Sequence, residues 1–279
     1  MPELPEVETV VRDLRRAGMV GREIWDVTLR WPRTLDRPSA EEARARLRGA
    51  RVEDIRRRGK FIIFDLSTGD ALLVHLRMTG QLDVEAESAP VDERHHHVLL
   101  HLDSGEQLRF RDTRKFGRFY LVEHPDEVIG ELGPEPIDPT FTLEHFGAMI
   151  AGRRALIKPL LLNQTFIAGL GNIYADEALF RARVHPERTA DTLSDEEMVD
   201  LFHAMRAVLE EGIRNQGTTL GEGSTNYYSV AGRAGRNKDN LQVFRQTGQP
   251  CPRCGASIER IIVGQRSTHF CPVCQPRIG

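Results

Sequence analysis

The hydrophobic pattern changes character partway along the chain. In the first 125 residues, short runs that are β-branched or alternate apolar with polar positions occupy 23–30, 51–58, 60–66, 71–77, 97–102, 107–111 and 118–122. Gly, Asp and Ser turns separate these runs, which predicts strands of an antiparallel sandwich or barrel. Two helices interrupt the series. The first runs from Pro2 to about Ala17, with proline in its first turn, Glu3, Glu6 and Glu8 at the positive end of its dipole, and Gly18 after its last turn. The second covers 39–48, where Ser39 and Glu42 have capping-box spacing. Beyond Gly133-Pro-Glu-Pro-Ile-Asp-Pro139, a candidate linker, the pattern turns helical. Its clearest helix runs from Ser194 to about Asn215, opens on a Ser194/Glu197 capping box and carries the stripe Met198, Leu201, Phe202, Met205, Val208, Leu209 and Ile213. Residues 216–240 are rich in Gly, Ser and Asn, a long loop of the kind that is usually either functional or disordered.

The pattern therefore predicts an α+β chain of several domains. An N-terminal β-sandwich with flanking helices spans 1–132, a linker 133–139, a helical domain 140–240 with the loop 216–240, and a cysteine-bearing module 241–279. Length agrees, since 279 residues suggest about two domains of ordinary size. No apolar run reaches the ~18 residues of a membrane span, and the acidic start is no signal peptide, so a cytoplasmic protein without a membrane partner is expected. A monomer is expected because no dimerisation segment stands out.

The net charge of −3 argues weakly against a polyanionic partner, but the charge is unevenly placed. Residues 121–150 hold seven acidic residues and no Lys or Arg, and residues 191–200 hold five. Residues 51–60 sum to +3, 109–118 to +4, and 231–279 to +6. Basic segments far apart in sequence build a phosphate-binding surface if they converge on one face. Of 38 basic residues only Lys60, Lys115, Lys158 and Lys238 are lysines. An amine can release a proton and a guanidinium cannot, so each is either a chemical choice or a chance retention.

The cysteines read Cys251-x2-Cys254-x16-Cys271-x2-Cys274. Two pairs at this spacing match a four-cysteine zinc site, with disulfides the alternative that a cytoplasmic location disfavours. Four protein ligands leave no open position for water, so one structural zinc ion is expected. Arg253, Arg260 and Arg266 suit a nucleic-acid-binding ribbon, yet such ribbons also serve as structural clips. Residues 156–162 and 173–180 read as helices joined by an amide-rich turn, with Asn172 at an N-cap position after Gly169-Leu-Gly171. That helix start suits a phosphate, but geometry alone favours a generic helical hairpin. The glycine pair is no dinucleotide fingerprint, because Tyr174 takes the third glycine position. The run His95–His97 does not suggest a metal, since alternate residues of a strand face opposite sides.

Together, Pro2-Glu-Leu-Pro-Glu-Val-Glu8, Asp112-Thr-Arg-Lys-Phe-Gly117, Gly169-Leu-Gly-Asn-Ile-Tyr174 and the ribbon with Gln265-Arg266 resemble bacterial formamidopyrimidine-DNA glycosylase along essentially the whole chain. The resemblance implies a β-sandwich, a helix–two-turns–helix domain and a zinc finger. It implies a base-excision repair enzyme acting on double-stranded DNA, removing 8-oxoguanine opposite cytosine and formamidopyrimidines, then cleaving the strand at the abasic site by β,δ-elimination. By the same resemblance the amine of Pro2, freed of Met1, attacks C1′ and forms a Schiff base, and Glu3 is the adjacent acid/base. Lys60 reaches the lesion and its phosphate, and Arg266 serves phosphate contact and δ-elimination. Met78, Arg114 and Phe116 fill the gap left by the flipped nucleotide, Arg114 facing the orphaned cytosine. His95, Arg154, Lys158 and Asn172 hold the DNA backbone. The commoner family sequence Asp-Pro-Arg-Arg-Phe-Gly differs here at Thr113 and Lys115. An endonuclease VIII-like enzyme for oxidised pyrimidines and a non-catalytic zinc-ribbon DNA binder are the alternatives.

Overall fold

The computed structural model describes every residue except 222, 224, 225, 231, 278 and 279. The chain divides into two compact units, Met1–Glu131 with Asn215–Lys238, and Leu132–Arg214 with Asp239–Gly279.

The first unit opens with α1 (Leu4–Arg16) and β1 (Ile24–Leu29), followed by the short β2 (Leu35–Arg37) and α2 (Ala40–Leu47). The strands β3 (Val52–Arg58), β4 (Phe61–Leu66), β5 (Ala71–His75), β6 (Gly80–Ala86), β7 (His96–Leu102), β8 (Glu106–Asp112) and β9 (Arg118–Val122) follow, and then a single turn of helix, α3 (Asp126–Ile129). They form two sheets, β1-β7-β8-β6 and β2-β9-β5-β4-β3, antiparallel throughout apart from the β2–β9 pair. All seven expected strands are present. Two more were not foreseen: β2 has only three residues, too few for a period, and β6 opens on Gly80 and ends exposed.

Val7, Val10, Val11 and Leu14 of α1 pack into one core with Ile55, Ile62, Phe64, Val74, Leu100 and Phe110. Burying each such side chain is worth about 1.5–3 kcal/mol, enough to fix the position of the chain's N-terminus. Tyr227 and Val230 join the same core. That burial is why residues 215–238, expected with the helical domain, pack with the first unit instead. Arg233 reinforces the attachment through Asp13 at 3.0 Å, and Gln81 Nε2 donates to the Asn226 carbonyl at 2.7 Å. Of the expected loop 216–240, residues 222, 224, 225 and 231 lie outside the described residues.

The second unit holds α4 (Leu143–Ile150), α5 (Ile157–Leu162), α6 (Asn172–Arg181), α7 (Asp195–Arg214) and the antiparallel hairpin β10 (Glu259–Val263) with β11 (Arg266–Phe270). The capping box of α7 forms as expected: Glu197 N–H donates to Ser194 Oγ, and Ser194 N–H donates to Glu197 Oε2. The proline-rich stretch 133–139 is no free linker. Gly133 N–H donates to the Gln164 carbonyl, Ala168 N–H donates to the Pro134 carbonyl, and a Cβ on Gly133 would lie 2.4 Å from the Phe166 carbonyl. Gln164 closes the α5–α6 turn, donating from Nε2 to the carbonyls of Leu162 and Leu170 while accepting from Gly169 N–H.

Candidate active site

In the first unit, Pro2 and Glu3 are buried at the head of α1. The buried Glu6 carboxylate holds this start in place, Oε2 accepting from Glu3 N–H and Oε1 from Thr218 N–H, both at 2.8 Å. Thr218 can come this close because Gly217 has φ +82 and a Cβ there would meet Glu6 and the Tyr227 ring at 2.9 Å. A second tie runs from α1 to the β3–β4 turn. Arg57 Nε donates to Glu8 Oε2 at 3.1 Å and its Nη1 to the Gly59 carbonyl at 3.2 Å, and Lys60, buried, is the next residue. Its positive charge is felt by His75, whose pKa falls to about 3 because burial disfavours the imidazolium, with Arg77 and Lys60 adding to the effect. His75 is therefore a neutral imidazole at physiological pH, its Nδ1 accepting from Arg77 N–H at 2.9 Å.

The Asp112–Gly117 loop is organised by a single carboxylate. Asp112 is fully buried and accepts from Thr79 Oγ1 and from the amides of Arg114, Phe116 and Gly117 at 2.5–3.1 Å. Gly117 is required here, since a Cβ would lie 2.3 Å from the Phe110 ring. From this base Met78 and Phe116 project with 42% and 46% of their surface exposed. Arg114 lies over the Phe116 ring at 4.6 Å and donates to Met78 Sδ at 3.0 Å. The three expected probe residues are thus brought into one exposed cluster. His95 pairs with Asp92 at 2.7 Å, and this hydrogen bond holds the Asp92 carboxyl below its usual range.

In the second unit, Arg154 is almost wholly exposed at 92% and lies 3.9 Å from Asp191. Lys158, expected on a DNA phosphate, is fully buried. Its amine meets Asp176 Oδ1 at 2.5 Å, Thr268 Oγ1 at 2.7 Å and the Ser267 carbonyl at 3.1 Å. In this position it has no surface to offer a phosphate, because its charge is neutralised inside the unit. Asn172 is the first helical residue of α6 and not its N-cap, which is Gly171; its Nδ2 donates to the Ser267 carbonyl at 2.9 Å. Asp176 Oδ2 accepts from the backbone N–H of His269 at 2.9 Å and lies 3.0 Å from its Nδ1. Three consecutive residues after Arg266 are therefore anchored to α5 and α6. Arg266 itself is exposed, following a two-residue turn in which Gly264 and Gln265 both have positive φ. Glu6, Arg57, His75, Asp112 and Asp176 were not singled out by sequence. For Glu6 and Asp112 there was a signal, an acid among apolar or turn residues inside each quoted motif.

The ligand atoms of Cys251, Cys254, Cys271 and Cys274 all lie within 4.8 Å of one another. The pairs Cys251–Cys274 and Cys254–Cys271 stand at 3.8 and 3.5 Å, near the ~3.8 Å edge of a tetrahedron with metal–sulfur bonds of about 2.3 Å. Burial and the crowding of neighbouring sulfurs push the Cys274 thiol up to about 12. Burial also opposes ionisation of Cys251, but the amides of Arg253 and Cys254 together with hydrogen bonds from the Cys271 and Cys254 thiols outweigh it and bring that thiol down to about 7. A central dication would allow all four to be thiolates, so the residues fit one structural zinc ion.

Residues 1–119 match the formamidopyrimidine-DNA glycosylase N-terminal domain, 132–223 the H2TH domain of the same enzymes, and 248–277 the zinc finger found in FPG and IleRS. The chain belongs to the formamidopyrimidine-DNA glycosylase family. The formamidopyrimidine-DNA glycosylase of Protochlamydia amoebophila is 48% identical over 277 residues, covering 99% of this chain and 100% of that protein. That of Herpetosiphon aurantiacus is 46% identical over 280 residues, with 99% and 100% covered. Among solved structures, a Lactococcus lactis FPG mutant in complex with a Fapy-dG containing DNA superposes with a TM-score of 0.91 at 37% identity, over 99% of this chain and 100% of that one. The Lactococcus lactis Fpg with an abasic site containing DNA gives 0.90 at 36%, with the same shares covered. Among the described residues, no helix is long and apolar enough to cross a membrane.

Proposed function

We propose that the protein is a bifunctional DNA glycosylase and abasic-site lyase of base-excision repair, acting in the cytoplasm as a monomer. It removes oxidised purines, 8-oxoguanine opposite cytosine and formamidopyrimidines, from double-stranded DNA. The observation that carries this reading is end-to-end similarity to an enzyme solved with Fapy-dG DNA and with abasic DNA. The buried, doubly tied Pro2–Glu3 start of α1 supports it.

Removal of Met1 converts the Pro2 nitrogen from a tertiary amide into a secondary amine. An unperturbed α-amino group has a pKa near 8, so about a tenth is free base at pH 7, and burial favours the neutral form. The amine's lone pair attacks C1′ of the damaged nucleotide. The base departs with the glycosidic electron pair and takes up the proton that the amine nitrogen gives up on bonding to C1′. Glu3 protonates the ring oxygen as the sugar opens to an iminium on Pro2. Loss of a 2′ proton then expels the 3′ phosphate, and a second elimination expels the 5′ phosphate. Lys60 and Arg266 assist by holding those phosphates as they leave.

Met78, Arg114 and Phe116 enter the space of the flipped nucleotide, with Arg114 reading the orphaned cytosine. His95, Arg154 and Asn172 hold the backbone, and Lys158 supports Asn172 and the ribbon from within. Excision of 8-oxoguanine opposite cytosine, compared with thymine glycol in the same duplex, tests the substrate class. Faster release of 8-oxoguanine is expected, and preferential release of thymine glycol contradicts the reading.

A further inference from the structure

The loop that carries Arg114 and Phe116 has one residue in the left-handed region, Lys115, at φ +59. A non-glycine residue stays there only when its surroundings fix it. Asp112 fixes the amides of Arg114, Phe116 and Gly117, on both sides of Lys115. The Lys115 side chain has a separate anchorage: its amine sits 4.1 Å from the centroid of the Trp31 ring. Arg33 lies over the same ring at 5.7 Å, so two cations approach the indole.

Trp31 is itself positioned by the sheet. Its backbone N–H and that of Arg30 donate to the His97 carbonyl, and Thr34 N–H closes a turn onto the Trp31 carbonyl. The His97 ring, whose pKa burial lowers, donates from Nε2 to the Asp112 carbonyl at 2.7 Å. One histidine therefore fixes both ends of the arrangement, the indole through its carbonyl and the base of the loop through its ring.

We propose that Trp31 is a specificity-determining positioning residue. Its indole face docks the Lys115 ammonium, and this sets the conformation in which Arg114 is presented to the opposite base. The inference deepens the proposed function and rests on its assignment of Arg114. It also accounts for lysine at this position. A compact ammonium centres over an indole at 4.1 Å, and this contact engages Lys115 away from Arg114, which stays at the exposed loop tip beside Met78 and Phe116.

The test compares excision rates of 8-oxoguanine opposite cytosine and opposite adenine in wild type, Trp31→Leu, Trp31→Phe, Lys115→Gln, the double variant Trp31→Leu/Lys115→Gln, and Arg114→Ala. An exposed cation–π contact to tryptophan corresponds to about a two- to fivefold effect. Trp31→Leu is expected to reduce the cytosine-over-adenine ratio by about that factor. Strand cleavage at a preformed abasic site, zinc content and melting temperature should stay unchanged. Trp31→Phe should recover most of the ratio because it keeps an aromatic face. Lys115→Gln should lose as much, and the double variant no more than either single one. A ratio unchanged in Trp31→Leu, or additive losses in the double variant, would overturn the proposal. If Arg114→Ala leaves the ratio unchanged, the assignment of Arg114 fails and the role of Trp31 falls with it. Relaxation by Arg114→Ala but not by Trp31→Leu overturns the role of Trp31 alone.

Discussion

Two segments that present arginines to the same proposed substrate are built in opposite ways. Arg266 stands on a hairpin whose next three residues are tied to α5 and α6 by a buried Lys158–Asp176 pair and by Asn172. Arg114 stands on an exposed loop whose base is held by one buried carboxylate and whose tip rests on aromatic faces. The ribbon suits a group that must meet a phosphate at one fixed place. The loop suits a group that enters a helix and tests what it finds there. The difference lies in what holds the exposed arginine in place: a buried ion pair beneath the ribbon strand in the first case, and a single carboxylate with aromatic contacts in the second.

The largest effect is expected where the ribbon loses its metal site. Cys254→Ser should abolish stoichiometric zinc and, with it, DNA binding. Structural zinc contributes on the order of 10 kcal/mol to small domains, and metal analysis with a gel-shift assay checks the outcome. Asp176→Ala leaves the Lys158 ammonium buried without its partner, which costs about 3–5 kcal/mol and should appear as a lower urea midpoint. Its cleavage products should shift from δ- to β-elimination, because the ribbon strand no longer holds Arg266. If Asp176→Ala were as stable as wild type, the contrast between fixed ribbon and adaptable loop would disappear.

Arg114→Ala should leave the melting temperature unchanged and weaken the preference for cytosine opposite the lesion by about 1–3 kcal/mol, read from paired excision rates. The smallest effect concerns pH and belongs to the sandwich. His75 has a folded pKa of about 3 against 6.5 unfolded, so below pH 6.5 the unfolded chain binds the extra proton. Stability contributed by this residue is complete above 6.5 and is lost as pH falls towards 3. Between pH 6.5 and 5.5 the loss is about 1 kcal/mol, and His75→Gln should remove it from the pH dependence of the urea midpoint.

Periodic and local features were legible in the sequence. The capping box of α7, the seven expected strands and the two cysteine pairs all rest on spacings of a few residues. What stayed hidden depends on partners remote in sequence. The resemblance put Lys158 on the DNA backbone, and its burial stayed hidden because its neutralising carboxylate lies 18 residues away and its ribbon partners about 110. The segment 215–238 read as part of the helical domain because Tyr227 and Val230 give no local sign that their core is the sandwich. Within the candidate site, the motifs that put forward Pro2, Glu3, Arg114 and Phe116 as candidates were legible through the resemblance. Of the groups that hold them, Glu6 and Asp112 lie inside the quoted motifs, but their anchoring role, like that of Arg57, shows only in the hydrogen bonds they make.

The central claim is that the Pro2 nitrogen is the nucleophile. The direct measurement is borohydride trapping on a duplex with 8-oxoguanine opposite cytosine, followed by peptide mapping of the adduct. A covalent adduct on Pro2, lost in a variant that retains Met1, is the result this account predicts. No adduct, or one mapped to Lys60, would contradict it.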